Sequence, residues 1–330
     1  MPVLYVTEQR SILRKTSDRL IVEKEGQVLM EVPCLKLDTV MIFGNVQVTT
    51  QALVEMLDHG IELAILSTSG QLRGQLTPPK ARNIVLRMRQ YEASHSERSC
   101  LTFAREVVAA KIESSVAVLR RFRMNHPKAV SLAEVKELER TAQSARAAVS
   151  LDSLRGVEGA SAARYFRCLE EMVPPAFGFN GRNRRPPRDP MNALLSFGYV
   201  LVGNELQALL DAMGFDPYLG FFHQVDYGSP SLALDLLEEF RAALVDRFSA
   251  RILNLGILKA ADFMTTPEKG TILGRDSLKR YFVEYEKELN TPLALGEESL
   301  TWRQLFRRQA ERLARALMDD VPYEAFRLPC

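Results

Sequence analysis

The stretch Thr77-Pro78-Pro79-Lys80 separates two parts of the chain that carry different sequence patterns. Before it, short apolar and β-branched runs such as Val3–Val6 and Thr39–Phe43 alternate with turn signals, a pattern typical of β-strands. After it, apolar residues recur at three- and four-residue spacing, which predicts α-helices. Because paired prolines interrupt both kinds of element, we place a domain boundary there, with a β-rich domain at residues 1–78 and a helical domain at residues 79–330.

The predicted fold class is α+β, with a small β-rich N-terminal domain followed by a larger all-α C-terminal domain. In the first domain we expect one helix, at residues 51–58, and strands at residues 3–6, 20–22, 28–32, 39–43 and 61–66. In the second domain we expect helices at residues 83–91, 100–124, 131–151, 159–172, 190–213, 231–255, 275–290 and 301–318. An extended loop is predicted at residues 174–188, which are rich in proline and arginine.

The composition, 46% hydrophobic and 25% charged residues, is that of an ordinary globular protein. No run of ~18 apolar residues occurs, so we expect no membrane span, and the first residues predict a strand and not a signal peptide. The cysteines have no paired spacing, which favours a reducing cytoplasm over a disulfide framework or a zinc site; they are Cys34, Cys100, Cys168 and Cys330. The motifs of nucleotide hydrolysis, dinucleotide redox chemistry and serine esterases are absent from the sequence.

Basic and acidic residues are concentrated in different segments, although the net charge is only +2. Residues 80–128 contain 11 Lys or Arg against 4 Asp or Glu, whereas residues 205–246 contain 8 acids and one arginine. This separation suits a protein that holds a polyanion on one surface and cations in a pocket. Two solvated helix faces of opposite charge would explain it equally well.

Four side chains together suggest a metal site. His223 ends the apolar stretch F-F-H, and the helix predicted after it carries Asp235 and Glu238 on one face, three residues apart. Glu158 lies upstream among glycines and alanines. Imidazole and carboxylate ligands suit Mg²⁺ or Mn²⁺, which serve phosphodiester chemistry. The alternative explanation of this pattern is a hydrogen-bonded core histidine followed by exposed acidic residues near the start of a helix. We expect Glu239, which follows Glu238, to point away from the site into solvent.

Arginines near these residues are candidates for DNA phosphate contacts, because guanidinium groups bind phosphate oxygens in pairs. Two of them follow Glu158 on the same helix, where they either contact phosphate or pair with nearby glutamates. The other four lie within seven residues of the loop before residue 190, and a surface loop with incidental arginines explains them less well, because four arginines so close together are costly without a counter-charge. The six candidates are Arg164, Arg167, Arg182, Arg184, Arg185 and Arg188.

Four motifs in a fixed order make a specific pattern. They are V-E-G-A-S-A-A-R-Y-F at residues 157–166, N-R-R-P-P-R-D-P-M-N-A-L-L-S-F-G-Y at 183–199, F-F-H at 221–223 and S-L-A-L-D-L-L-E-E-F-R at 231–241. With this pattern the whole chain resembles the CRISPR-associated integrases, the metal-dependent DNA endonucleases of the CRISPR adaptation (spacer acquisition) module. The resemblance implies that Glu158, His223 and Glu238 hold Mg²⁺ or Mn²⁺ and that Asp235 is an additional catalytic acid, either an orienting group or a proton acceptor.

The resemblance also implies a function and partners. Members of the family insert new spacer DNA into a CRISPR array by transesterification, in which a DNA 3′-hydroxyl attacks a phosphodiester bond. They form homodimers, largely through the β domains, and two dimers assemble with a smaller ferredoxin-like adaptation protein around double-stranded DNA. The residues alone leave two alternatives open: a non-catalytic helical DNA-binding protein and a divalent-metal hydrolase of small phosphoesters.

Overall fold

The computed structural model describes residues 3–68, 72–77, 83–183, 186–223, 228–268 and 270–329. These residues form two compact units. The N-terminal unit comprises the described residues up to 77 together with Arg275–Phe282, and the helical unit comprises the remainder. The boundary predicted after residue 78 falls in the stretch 78–82, which lies outside the described residues. The α+β fold class is confirmed, since a β-rich region precedes a mostly helical one.

Among its described residues, the N-terminal unit contains two four-stranded sheets, one complete α-helix and the start of a helix that continues into the helical unit. One sheet has the order β1-β5-β7-β8, in which the first three strands are parallel, and the other has the order β4-β3-β2-β6. Leu13, Leu20, Val40 and Met56 are fully buried in its core. The elements are β1 (Val3–Val6), β2 (Ile12–Thr16), β3 (Arg19–Lys24), β4 (Gln27–Pro33), β5 (Thr39–Phe43), β6 (Gln47–Val48), α1 (Thr50–Asp58), β7 (Glu62–Leu66) and β8 (Leu72–Leu76).

Strand β4 lies at the end of its sheet and exposes apolar side chains. Val28, Leu29 and Met30 are each about half exposed, at 53%, 48% and 47%. An edge strand with unpaired backbone groups and apolar side chains favours association with another chain. This edge is therefore the candidate surface for the predicted pairing of β domains.

The helical unit contains nine helices that begin or continue within its described residues, and α9 starts in the N-terminal unit. They are α2 (Ile84–Ser94), α3 (Glu97–Asn125), α4 (Leu132–Arg146), α5 (Leu151–Glu170), α6 (Pro190–Met213), α7 (Ser231–Phe240), α8 (Arg247–Asn254), α9 (Arg275–Asn290) and α10 (Trp302–Asp319). Two short hairpins, which the sequence analysis did not predict, are β9 (Phe263–Thr266) with β10 (Gly270–Leu273) and β11 (Leu293–Leu295) with β12 (Glu298–Leu300).

Helix α3 forms the centre of the helical unit. It has 29 residues and packs against α4, α5 and α7. Its middle, V-V-A-A-K-I-E-S-S-V-A-V-L at residues 107–119, is rich in alanine and valine, and such small and branched side chains allow neighbouring helices to approach closely. Consequently, side chains from α5 and α7 meet the middle of α3.

Helix α5 begins earlier than the sequence pattern predicted. The prediction placed its start at residue 159, but the helix begins at Leu151, where Ser150 and Ser153 form a capping box. Gly156 and Gly159 each cost about 1 kcal/mol of helix propensity, and packing against α3 and α4 outweighs that cost. Glu158 therefore lies in the middle of a helix and not at its end.

The helix predicted at residues 231–255 is one continuous run with an irregular turn. α7 and α8 are joined by a π-helical segment at Arg241–Asp246. π-Helical turns are rare, and they occur frequently at functional sites. Helix α6 is long and apolar enough by composition to cross a membrane, but most of that stretch is buried inside the helical unit, as in a core helix.

Candidate active site

Two of the predicted metal ligands share one lysine. Glu158 on α5 and Glu238 on α7 both face Lys111 on α3. The Lys111 ammonium forms an ion pair with Glu158, and it lies 2.7 Å from Oε2 of Glu238. At the other oxygen of Glu238, Oε1, the Nε of Arg241 donates a hydrogen bond of 2.8 Å. The three helices thus bring two carboxylates and two cations together.

These charges stabilise one another although the site is buried. Burial by itself lowers the pKa of Lys111, but Glu238 and Glu158 outweigh it and leave the pKa above its usual value. Burial likewise raises the pKa of Glu238, but Arg241, Lys111 and His223 outweigh it and hold the pKa at about 2. Glu238 is therefore a carboxylate, and Lys111 an ammonium, at any physiological pH.

Asp235 fixes the position of His223. The Asp235 carboxylate is fully buried and accepts four hydrogen bonds. Oδ2 accepts from the backbone N–H groups of Phe221 at 2.6 Å and Phe222 at 3.0 Å. Oδ1 accepts from the backbone N–H of His223 at 2.9 Å and from its Nδ1 at 2.6 Å. Because a carboxylate only accepts, Nδ1 carries the proton and Nε2 is left to act as a ligand.

Gly220 permits this arrangement. A side-chain carbon at position 220 would lie 2.7 Å from Asp235 Oδ2 and 2.9 Å from the backbone carbon of Ser231. Both distances are shorter than van der Waals contact, so the loop before α7 can approach the start of that helix only with glycine at this position. The stretch G-F-F-H therefore acts as one unit with Asp235.

His223 in turn faces Glu238. Its Nε2 atom lies 3.7 Å from Glu238 Oε1. Burial lowers the pKa of His223, but the hydrogen bond to Asp235 and the charge of Glu238 outweigh burial and raise the pKa above its usual value. His223 and Glu238 therefore form a pair, which Lys111 links to Glu158.

The donor set of this site fits a hard divalent cation. It offers one imidazole nitrogen and two carboxylates, the ligands that Mn²⁺ and Mg²⁺ accept. Glu238 Oε2 is buried, and the ammonium of Lys111 lies 2.7 Å from it. A buried carboxylate oxygen that already faces a cation is suited to a metal ligand.

The ligand atoms of Glu158, His223 and Glu238 lie farther apart than they would around a bound ion. Within the described residues, the one group of three His, Cys, Asp or Glu ligand atoms that all lie within 4.8 Å of one another is Cys34, Glu55 and His59. That group belongs to the N-terminal unit, and its Glu55 already forms an ion pair with Lys15. At the predicted site the ammonium of Lys111 lies between the carboxylates instead.

A cavity of about 30 Å³, large enough for a water molecule, adjoins Lys111 and Glu158. Its wall also includes Arg182, Tyr199 and Asp246. Burial raises the pKa of Asp246 to about 6, although hydrogen bonding from the Tyr199 hydroxyl opposes the shift. Polar groups thus continue from the carboxylates into the interior of the unit.

The six candidate arginines have different environments. Arg182 lines the cavity and donates to the side chains of Asn192 and Ser196, so it holds the loop to α6. Arg164 forms an ion pair with Glu134. Arg167 and Arg188 are exposed. The remaining two, Arg184 and Arg185, lie outside the described residues.

Glu239 is buried, so the prediction that it points into solvent is wrong. Its carboxylate accepts hydrogen bonds from Gln309 at 2.8 Å, from the Tyr323 hydroxyl and from the Phe326 backbone N–H at 2.6 Å. Burial raises the pKa of Glu239 to about 7. The physical reason is that the C-terminal segment covers this face of α7.

Sequence reasoning missed Lys111 and Arg241 as parts of the site. Lys111 did carry a signal, because it is a single lysine within the apolar run V-V-A-A-K-I. Arg241 follows Glu238 by three residues on the same helix, which is the spacing of an ion pair. Neither signal shows which other helix faces these side chains.

Comparison with known proteins places this chain in a family. Residues 4–287 match the family model described as CRISPR associated protein Cas1. The CRISPR-associated endonuclease Cas1 3 of Thermus thermophilus is 34% identical over 98% of this chain and 96% of that protein. A Cas4/Cas1 exonuclease–endonuclease fusion of Geobacter sulfurreducens is 35% identical over 97% of this chain, which spans only 59% of the fusion.

Solved structures with low sequence identity share the fold. A casposase bound to an integration product has a TM-score of 0.88 at 23% identity, and the match covers 100% of this chain and 94% of that one. A Cas1 protein from Thermotoga maritima has a TM-score of 0.85 at 22% identity, with coverage of 98% and 100%. From the family model and the relatives above 30% identity, the chain belongs to the Cas1 family of CRISPR-associated proteins.

Proposed function

We propose that this protein is a divalent-metal-dependent DNA endonuclease and integrase that inserts new spacer DNA into a CRISPR array by transesterification. Its Cas1 family membership and the endonuclease names of its relatives support this function. The observation that supports the proposal is that Glu158 and Glu238, from two helices, share the ammonium of Lys111, while His223 Nε2 lies 3.7 Å from Glu238 Oε1. A protein that only binds DNA has no need for buried carboxylates held in this way.

Glu158, His223 Nε2 and Glu238 would hold the metal, Mg²⁺ or Mn²⁺. When bound there, the ion supplies a Lewis acid that activates the attacking hydroxyl and stabilises charge on the phosphoryl oxygens. Asp235 has no free lone pair directed at the site, so the geometry supports an orienting role for it over that of a proton acceptor. Its function is to keep the proton of His223 on Nδ1.

The chemistry needs no covalent enzyme intermediate. The 3′-oxygen of the incoming DNA forms a new bond to phosphorus, and the bond to the leaving 3′-oxygen of the repeat breaks. The attacking hydroxyl loses its proton, and the leaving oxygen gains one. The nearby cations Lys111 and Arg241 offset the charge that accumulates during this exchange. With water as the attacking group, the same site would cleave DNA.

The surface around Glu158 suits a nucleic-acid backbone. Gly156 and Gly159 are exposed on α5 and have open space beside them, so a phosphate backbone can come close to the helix. Arg167 and Arg188 are exposed cations that can contact phosphates without reading sequence. Such binding should weaken steeply as the salt concentration rises.

We further propose a cytoplasmic homodimer that works with a smaller adaptation protein of ferredoxin-like fold on prespacer and repeat DNA. The exposed apolar edge of β4 supports pairing through the N-terminal units. One solved structure of similar fold, at a TM-score of 0.83, is a Cas6-RT-Cas1–Cas2 complex, which supports a partner of that kind.

The test compares Glu158→Gln with wild type in two assays, strand transfer of a 3′-hydroxyl duplex and equilibrium DNA binding. The substitution should abolish strand transfer and leave DNA affinity within about twofold, because it removes one ligand charge and no phosphate contact. Glu170→Gln, at an exposed position of the same helix, is the matched control. Normal strand transfer by Glu158→Gln would refute the proposed site. If wild type binds DNA but carries out no strand transfer, the non-catalytic DNA-binding alternative would be favoured.

A further inference from the structure

Lys111 occupies an unusual position for a lysine. It lies in an apolar run of the central helix, and only 14% of its side chain is exposed. Its ammonium is shared by Glu158 and Glu238, the two carboxylates proposed as metal ligands. Burying an ammonium costs several kcal/mol unless it is paired, so this lysine depends on both carboxylates.

A bound divalent cation would need the same oxygens. The Lys111 ammonium lies 2.7 Å from Glu238 Oε2, one of the oxygens that a metal would need. An ammonium and a divalent ion at one pair of carboxylates repel each other strongly in a buried site. Arg241 differs, because it approaches Glu238 through the other oxygen, Oε1, and no ion pair links it to Glu158 within the described part of the chain.

We propose that Lys111 is a displaceable counter-ion, whose ammonium neutralises Glu158 and Glu238 when the metal is absent and leaves them when the metal binds. This inference rests on the metal site proposed above. The flexible side chain of Lys111 has room to move, since it lines the adjoining cavity. The displaced ammonium stays paired by contacting the phosphodiester that DNA brings to the site. Lys111 thereby couples metal loading to substrate binding.

If Lys111 is displaced by the metal, removing it should strengthen metal binding. If Lys111 instead helped to hold the metal site together, removing it should weaken metal binding. If Lys111 competes with the metal, Lys111→Met should lower the dissociation constant for Mn²⁺ by about tenfold or more, because no ion pair has to be broken first. The same variant should be less stable than wild type without metal, since Glu158 loses its cation and Glu238 keeps only Arg241. Mn²⁺ should therefore raise its melting temperature more than that of wild type.

The experiment is calorimetric titration of the full chain with Mn²⁺, together with melting curves with and without Mn²⁺. Lys111→Gln is the second variant, in case Met at this position prevents folding. Arg241→Met removes a nearby positive charge without vacating the position between the carboxylates, and Lys136→Met removes an exposed lysine. We expect the tenfold gain for the Lys111 variants, a smaller gain for Arg241→Met and no change for Lys136→Met.

Two results would overturn the inference. Unchanged or weaker Mn²⁺ binding by both Lys111 variants would show that the lysine does not compete with the metal. An equal gain for Arg241→Met would show that general charge, and not displacement, sets the affinity. Failure of wild type itself to bind Mn²⁺ would instead overturn the proposed metal site, so the two failures are distinguishable.

Discussion

Replacing Asp235 by asparagine should both destabilise the protein and disable His223. The Asp235 carboxylate accepts from four donors, two at each oxygen. Asparagine replaces one oxygen by an NH₂ group, which must face donors wherever it is placed. Each buried donor left without an acceptor costs about 1–3 kcal/mol, so we expect a loss of roughly 2–5 kcal/mol in the free energy of unfolding.

The orientation of the asparagine decides the effect on His223. If the NH₂ group took the Oδ2 position, the backbone N–H groups of Phe221 and Phe222 would both lose their acceptor. The NH₂ group should therefore take the Oδ1 position. There it faces Nδ1 of His223, which can accept a hydrogen bond only if the ring proton moves to Nε2. Nε2 then has no lone pair for a metal, and the Mn²⁺ affinity should fall about 10- to 100-fold.

Urea denaturation measures the first effect and calorimetric Mn²⁺ titration the second. Asp152→Asn is the matched control, because the Asp152 side chain is 92% exposed and pairs only at the surface. The control should change stability by less than about 0.5 kcal/mol. If Asp235→Asn were as stable as wild type and bound Mn²⁺ equally well, the argument that Asp235 organises His223 would be refuted.

Four further substitutions test other parts of the structure. The pKa of Glu239 is raised from 4.5 to about 7, so the free energy of unfolding of wild type should fall as the pH rises between these values. In urea denaturation, Glu239→Gln should remove this pH dependence and raise the free energy of unfolding at pH 8 by up to ~3 kcal/mol. Gly220→Ala should cost about 1–3 kcal/mol through the contact with Asp235, whereas Gly156→Ala, at an open helical position, should stabilise by about 0.5–1 kcal/mol. If the proposed dimer forms through the β4 edge, Met30→Lys should shift it towards monomer in analytical ultracentrifugation, and an unchanged dimer would exclude that edge as the interface.

The sequence predicted helices well where their ends carry strong signals. α6 has the predicted bounds, because Asp189 caps its start, Pro190 occupies the first turn and Gly214 ends it in the left-handed region. The start of α5 was missed because two glycines near its beginning hid the helical pattern. The two hairpins were missed because their strands have only three or four residues.

The candidate site could be predicted in part. The spacing of Asp235 and Glu238 and the position of His223 can be read from one segment. The environment of Glu239, one residue further along α7, cannot be, because the Tyr323 hydroxyl and neighbouring C-terminal groups that bury it are about 85 residues away in sequence. Local periodicity does not specify which distant segment covers a helix face. The same reason hid Lys111, whose partners come from two other helices.

The central claim is that His223 belongs to a metal centre that joins DNA strands. We would incubate a short duplex bearing 3′-hydroxyl ends with a supercoiled plasmid that carries a repeat, in Mn²⁺ or Mg²⁺, with the smaller adaptation protein added or withheld. The comparison is between wild type, His223→Ala and the exposed control His95→Ala. The account predicts metal-dependent joining by wild type and His95→Ala and none by His223→Ala. Equal joining by His223→Ala, or joining by wild type in the presence of a chelator, would contradict it.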